Sequence, residues 1–145
     1  MANEKERINI ASGSPWEPLR GFSRAVRVGD QLYVAGTTAM TSSGEVVGVG
    51  DAYEQTRYVI KAIKEVLASE GFTMMDIVRT RLSVTNLSKW EEYARAHSEA
   101  FDNIRPASSI VQITRLVDPR LLIEMEVDAI LGCKIIKNSK LSLSA

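Results

Sequence analysis

The sequence predicts an α+β domain in which two helices cover one face of a single, mostly antiparallel sheet. Three observations carry that expectation. Two stretches, 51–71 and 88–101, open on capping signals and continue with apolar residues at helical spacing. Several shorter stretches alternate apolar and polar residues with the period of a strand. The third is the row Glu124, Glu126 and Asp128 in "LLIEMEVDAIL", which a strand turns to one face while Leu121, Ile123, Met125, Val127 and Ala129 form the other. Two helices can bury one face of such a sheet, which leaves the acidic face to meet water or another subunit.

Taken in chain order, 1–6 is polar and expected to fray, and "RINIA" can begin as a short strand. Ser12 to Gly21 holds two prolines and two glycines and reads as a loop. Ala25, Val26 and Val28 precede a Gly29-Asp30 turn, and Leu32, Val34 and Ala35 follow it, which is a hairpin signal. A glycine-rich loop follows, with a possible short strand at Val46-Val47. Asp51 and Glu54 form a capping-box pattern, after which Thr56, Val59, Ile60, Ile63, Val66 and Leu67 recur on one helical face until Gly71. Val78, Thr80, Leu82 and Val84 define the inner face of a strand whose outer face carries Arg79, Arg81 and Ser83. Ser88 and Glu91 repeat the capping pattern ahead of a stripe of Trp90, Tyr93, Ala94, His97 and Phe101. Pro106 ends that helix. A strand from Ser108 to Leu116 then turns at Val117-Asp118-Pro119 into the last strand, Leu121 to Leu131. The domain is expected to span 1–131, with a mobile tail over 132–145.

Composition excludes several classes of function. The 145 residues suit one domain. Lys plus Arg and Asp plus Glu each number 18, so no overall field attracts nucleic acid or an anionic membrane. No apolar run approaches about 20 residues, and the first residues lack the form of a secretory signal, so a soluble cytoplasmic protein is expected. The lone His97 and lone Cys133 provide no metal-ligand spacing and no supported nucleophile-base pair, and no metal or cofactor is expected. His97 on an apolar stripe reads as a packed histidine, and Cys133 as inert. "GVGDAYEQT" matches neither a dinucleotide nor a P-loop fingerprint.

The carboxylate row admits two readings, a solvated sheet face or a lined interface, and Arg79 and Arg81 on a neighbouring strand favour the second. Arg105 can be either a solvated cation at a helix end or a guanidinium fork for a carboxylate.

The stretches "GDQLYVAGTTA", "GDAYEQTRYVIKAIKEVLASEGFTMMDIVRTRLSVTNLSKWEEY", the Arg-Pro-Ala segment and "LLIEMEVDAI" together resemble the Rid family, also called YjgF or reactive-intermediate deaminase, from about Arg7 to Leu131. The resemblance implies a chorismate-mutase-like α+β fold and a homotrimer with ligand pockets between neighbouring subunits. It also implies hydrolysis of enamines and imines of amino acids, such as 2-aminoacrylate, to 2-keto acids and ammonia. The family's motif ends Pro-Ala-Arg, whose arginine grips the substrate carboxylate; the matching residue here is Ser108. Phe22 matches the aromatic that closes the pocket and lacks the usual tyrosine hydroxyl. Ile110 matches a backbone contact, and Glu124 the glutamate associated with the hydrolytic water, with Glu126 the alternative because the preceding loop is one residue longer.

Substituting a hydroxyl for the guanidinium removes a charge-assisted bidentate contact. Activity on 2-aminoacrylate is therefore in doubt, and Arg105, Arg24 or Arg115 are candidates for a relocated cation. The resemblance leaves two functions: a small-molecule hydrolase working through Glu124, and a non-catalytic trimer that binds a small acid as sensor or scavenger. An RNA-directed role, also described in the family, is disfavoured by balanced charge and by the lack of interleaved aromatic and basic residues. The expected ligand is a small carboxylate, with no nucleic-acid partner and no membrane.

Overall fold

The computed structural model describes residues 3–143; Met1, Ala2, Ser144 and Ala145, in the segments expected to fray or move, lie outside the described residues. The strands are β1 (Arg7–Ile10), β2 (Ala25–Val28), β3 (Gln31–Thr38), β4 (Ile77–Val84), β5 (Ala107–Gln112) and β6 (Ile123–Ile130). The helices are α1 (Trp16–Arg20), α2 (Ala52–Ser69) and α3 (Trp90–Phe101). All six strands form one sheet in the order β1-β2-β3-β6-β4-β5. Every pairing is antiparallel except that of β4 with the edge strand β5.

That exception corrects the expected hairpin between the last two strands. β5 ends at Gln112, short of Leu116, and does not pair with β6; β4 lies between them. A parallel neighbour requires a crossover, and α3 supplies it between β4 and β5. The connection 113–122 then returns across the domain, fastened by Gln55 of α2. This fully buried side chain donates to Arg120 O at 2.9 Å and accepts from Leu122 N at 2.8 Å. A long loop crossing the core needs such a partner for its backbone.

The core lies between α2, α3 and one sheet face. Leu32, Val34, Leu82, Val84, Ile123, Met125, Val127 and Ala129 come from the sheet, Val59, Ile63 and Leu67 from α2, and Tyr93 and Phe101 from α3. β6 follows the expected alternation, with buried apolar residues separating partly or fully exposed Glu124, Glu126 and Asp128. In β4 the inner face is Ile77, Thr80, Leu82 and Val84, because a bulge between Ile77 and Arg79 turns Val78 outward. Trp90 also leaves the expected stripe, since α3 is rotated to bury Tyr93 and Ala96 while the indole is 57% exposed.

Local chemistry explains the remaining differences. One helical turn, Trp16–Arg20, occupies part of the expected loop. Pro15 at its N-cap has φ −65, already suited to a helix, and Pro18 lies in the first turn, where no backbone N–H is required. Asp51 caps α2 by accepting from Glu54 N at 3.0 Å, but Glu54 turns to Arg57 instead of closing the box. The reciprocal box belongs to Thr73 and Asp76. Asn86, not Ser88, caps the 3-10 turn Leu87–Lys89 that leads into α3. Val46 makes a single bridge with Met40 instead of a strand. Gly71 stops α2 with φ +76, where the left-handed turn lets Phe72 N reach Leu67 O. Among the described residues no helix is long and apolar enough to cross a membrane.

Candidate functional site

The alternation of side chains divides the chemistry-bearing residues between the two faces of the sheet. In the ladder, Ser108 lies beside Thr80 and Thr80 beside the buried Val127, so Ser108 belongs to the helix side. Glu124 pairs with Ser83 and belongs to the opposite, open face.

On the helix side, the groove between α3 and β5 is a cleft of about 370 Å³. Its walls are largely apolar: Leu82, Trp90, Ala94, Phe101, Pro106 and Ile110. The polar groups converging on it include His97, Ser108, Asp102 and Arg105. Thr80, fully buried beneath, donates to Ser108 Oγ at 2.7 Å and lies 2.9 Å from His97 Nε2. The His97 ring stacks on Phe101 with 4.5 Å between centroids, and burial pushes its pKa below the ordinary value. His97 is thus the packed, hydrogen-bonded histidine that its sequence position suggests, and it also forms part of a cleft wall.

Arg105 stands at the rim of this cleft in a left-handed backbone conformation, φ 56. Its guanidinium is 77% exposed and already engaged, with Nη2 3.0 Å from Asp102 Oδ1 and Nε donating to Asp102 O. Arg115 lies exposed on the long connection. Arg24 is far less accessible: it donates to Gly36 O at 2.8 Å and Thr37 Oγ1 at 3.2 Å, and pairs with buried Glu17.

The open face resolves the carboxylate row into two parts. Arg81 pairs with Glu126 and Asp128, both at 3.3 Å, and Arg79 lies 3.7 Å from Asp128. Glu124 has no ion-pair partner within 4 Å among the described residues. Its nearest charged influences are Glu126, Arg20 and Arg24, and burial, reinforced by Glu126, raises its pKa above the ordinary carboxyl value. Phe22 belongs to the same neighbourhood, its ring centroid 4.2 Å from the Arg20 guanidinium and 5.6 Å from that of Arg24.

The carboxyl group of Glu124 lies across Gly36. A Cβ placed on Gly36 would come within 2.6 Å of both Cδ and Oε1. Gly36 sits in a bulge of β3, where the register with β6 slips between Val34 and Thr37, and its carbonyl accepts from Arg24. Sequence reasoning overlooked Gly36 and Arg20 as neighbours of the glutamate and Thr80 as the link under Ser108. A glycine within an alternating run was the available signal for Gly36, since it marks a bulge or a close approach.

The structure therefore brings Arg105, Ser108 and Ile110 together in the cleft. Phe22 and Glu124 are placed apart from them, around Arg20 and Arg24. Among the described residues no cluster of His, Cys, Asp and Glu could hold a metal ion.

The fold, one six-stranded sheet with its helices, belongs to a recognisable class. The family model for Endoribonuclease L-PSP matches residues 13–131. The crystal structure of Rv2704 from Mycobacterium tuberculosis, described as a member of the YjgF/YER057c/UK114 family, superposes with a TM-score of 0.79 at 41% identity, covering 87% of this chain and all of that one. Protein SCO2049 of Streptomyces coelicolor is 38% identical over 133 residues, 91% of this chain and 97% of its own. The 3-aminoacrylate deaminase RutC of Acinetobacter baylyi is 31% identical over 120 residues, 83% of this chain and 94% of its own. The chain belongs to the Endoribonuclease L-PSP family, the YjgF or Rid family of its sequence resemblance, and has that family's chorismate-mutase-like fold.

Proposed function

We propose that the protein hydrolyses small imines or enamines to carbonyl compounds and ammonia, at a site assembled from the α3–β5 cleft of one copy and the Glu124 face of another. The observation that carries this reading is Glu124 itself. It is a half-buried carboxyl, left out of the ion pairs that satisfy Glu126 and Asp128, with its pKa raised. Burial favours the protonated form of this carboxyl beyond that of an ordinary glutamate, which suits an acid-base catalyst.

The chemistry requires little more. Glu124 gives its proton to the imine nitrogen, and water adds to the carbon. The carboxylate takes a proton from that water to give a neutral carbinolamine and returns it to the amine nitrogen. As the C–N bond breaks and ammonia leaves, the carboxylate recovers the hydroxyl proton and the carbonyl forms. The cleft contributes position and exclusion of bulk water, which are substantial terms for a reaction that already proceeds spontaneously. Relationship to a 3-aminoacrylate deaminase supports the reaction class.

Ser108 and Glu124 face opposite sides of one sheet, so one chain cannot place both on a single small ligand. A second copy can. The exposed edge strand β5, with Ile110 and Val111 partly uncovered, and the open face with Tyr33 46% exposed are surfaces suited to self-association. The homotrimer implied by the family resemblance fits this requirement.

The test is the rate of hydrolysis of imines generated in situ by an oxidase, followed as loss of the imine to semicarbazide. Wild-type protein should accelerate the reaction, and Glu124→Gln should reduce kcat by about a hundredfold or more, in keeping with general acid-base catalysis. A Glu124→Gln variant as active as wild type removes Glu124 from the mechanism. A folded wild-type protein that accelerates nothing while still binding ligands in the cleft favours the non-catalytic binding reading.

A further inference from the structure

We infer that the cleft selects an uncharged, apolar imine or carbonyl compound, which it grips through a neutral chain of hydrogen bonds from His97 through Thr80 to Ser108, and that it does not select a carboxylate. The inference rests on the hydrolase reading and names its substrate class.

The direction of the chain follows from proton counting. Thr80 has one hydroxyl proton and donates it to Ser108 Oγ at 2.7 Å. Toward His97, at 2.9 Å, Thr80 can then only accept, so the imidazole proton lies on Nε2. Ser108 Oγ accepts from Thr80, which leaves its own proton without a partner among the described residues at a position on the cleft wall. Each bond polarises the next, so Ser108 presents a stiffened and strengthened donor. A neutral donor suits a carbonyl oxygen, including the oxygen that develops as water adds to an imine, and leaves the single lone pair of the imine nitrogen to Glu124.

The charges around the cleft point the same way. Burial of His97 opposes its taking a positive charge. Asp102 and Arg105 neutralise one another across 3.0 Å at the rim, so an incoming carboxylate would have to break that pair in water for little return. The walls offer Trp90, Phe101, Leu82 and Ile110, which reward an aromatic or alkyl body on the ligand. A buried threonine and a histidine supporting the hydroxyl make Ser108 part of a built site.

Two imines sharing a phenylethyl body test this. One, formed from 2-phenylethylamine by a flavin amine oxidase, carries no carboxylate; the other, formed from phenylalanine by an amino-acid oxidase, does. Acceleration over the spontaneous rate should be about tenfold or more greater for the uncharged imine, a factor worth one strong hydrogen bond. Ser108→Ala and Thr80→Val should erase the preference, Thr80→Ser should keep it, and Ser108→Arg should invert it.

Equal or greater acceleration of the carboxylate imine in wild type overturns the inference while leaving the hydrolase reading intact, and points to Arg20 of a second copy as anchor. If neither imine is accelerated, the hydrolase reading fails and binding decides the inference. Quenching of Trp90 fluorescence in a Trp16→Phe background should then show phenylacetamide binding more tightly than phenylacetate. Equal binding, tighter phenylacetate, or no binding of either overturns it.

Discussion

At Gly36 the absence of a side chain is what lets the Glu124 carboxyl lie flat on β3. An added methyl would meet the far end of a flexible side chain, so the glutamate would move and the backbone would stay. Gly36→Ala should therefore change stability by less than about 1 kcal/mol. It should nonetheless cut imine hydrolysis by about tenfold or more, because small displacements of an acid-base group are costly. A thermal melt beside a turnover assay checks both halves.

His97 gives a second residue-scale prediction. It is the only histidine, so its imidazole signal in a proton NMR titration is unambiguous, and its midpoint should fall below 6.5. Because the unfolded chain takes up that proton first, stability should be full above pH 6.5 and be lost as pH falls toward the lowered folded value. Glu124 acts with the opposite sign: its raised pKa contributes stability fully present below about pH 4.5 and lost as pH rises through the folded value. His97→Gln should remove the first dependence and Glu124→Gln the second. Both residues could be singled out in the sequence, but the partners that set their titration come from distant segments.

Among the elements, α2 and the connection after β5 depend on each other through Gln55. Gln55→Ala would leave Leu122 N and the carbonyls of Arg120 and Gly48 without their buried partner. The expected loss is about 2 to 4 kcal/mol by chemical denaturation, with the cleft's chemistry otherwise unchanged in the folded fraction. The periodicity of α2 and the alternation of β6 were legible because each reflects one dominant burial face. The pairing of β5 was not, because a strand's sequence does not say whether its neighbour is parallel. Its Val-Asp-Pro sequel resembles a hairpin turn, while Gln55, the residue that holds the return path, is 65 residues away from Arg120 in the chain. The rotation of α3 escaped for a similar reason. Trp90 and Tyr93 both fit an apolar stripe, and only packing against α2 and the sheet decides which enters the core.

The whole molecule has its candidate chemistry on two faces of one sheet, and in the proposed site two copies join them. Of the residues singled out in the sequence, Ser108, Ile110 and Arg105 meet within one chain, whereas Glu124 and Phe22 gather elsewhere. Mixing two disabled variants tests the joining most directly. Glu124→Gln keeps the cleft and loses the acid-base group; Ser108→Trp fills the cleft and keeps the glutamate. Each alone should be inactive on the imine that wild type hydrolyses best. After joint unfolding and refolding in equal amounts, the mixture should recover about a quarter of wild-type activity, the chance that an intact cleft meets an intact Glu124 from a neighbour. A mixture as inactive as its components would contradict a site completed between neighbouring copies.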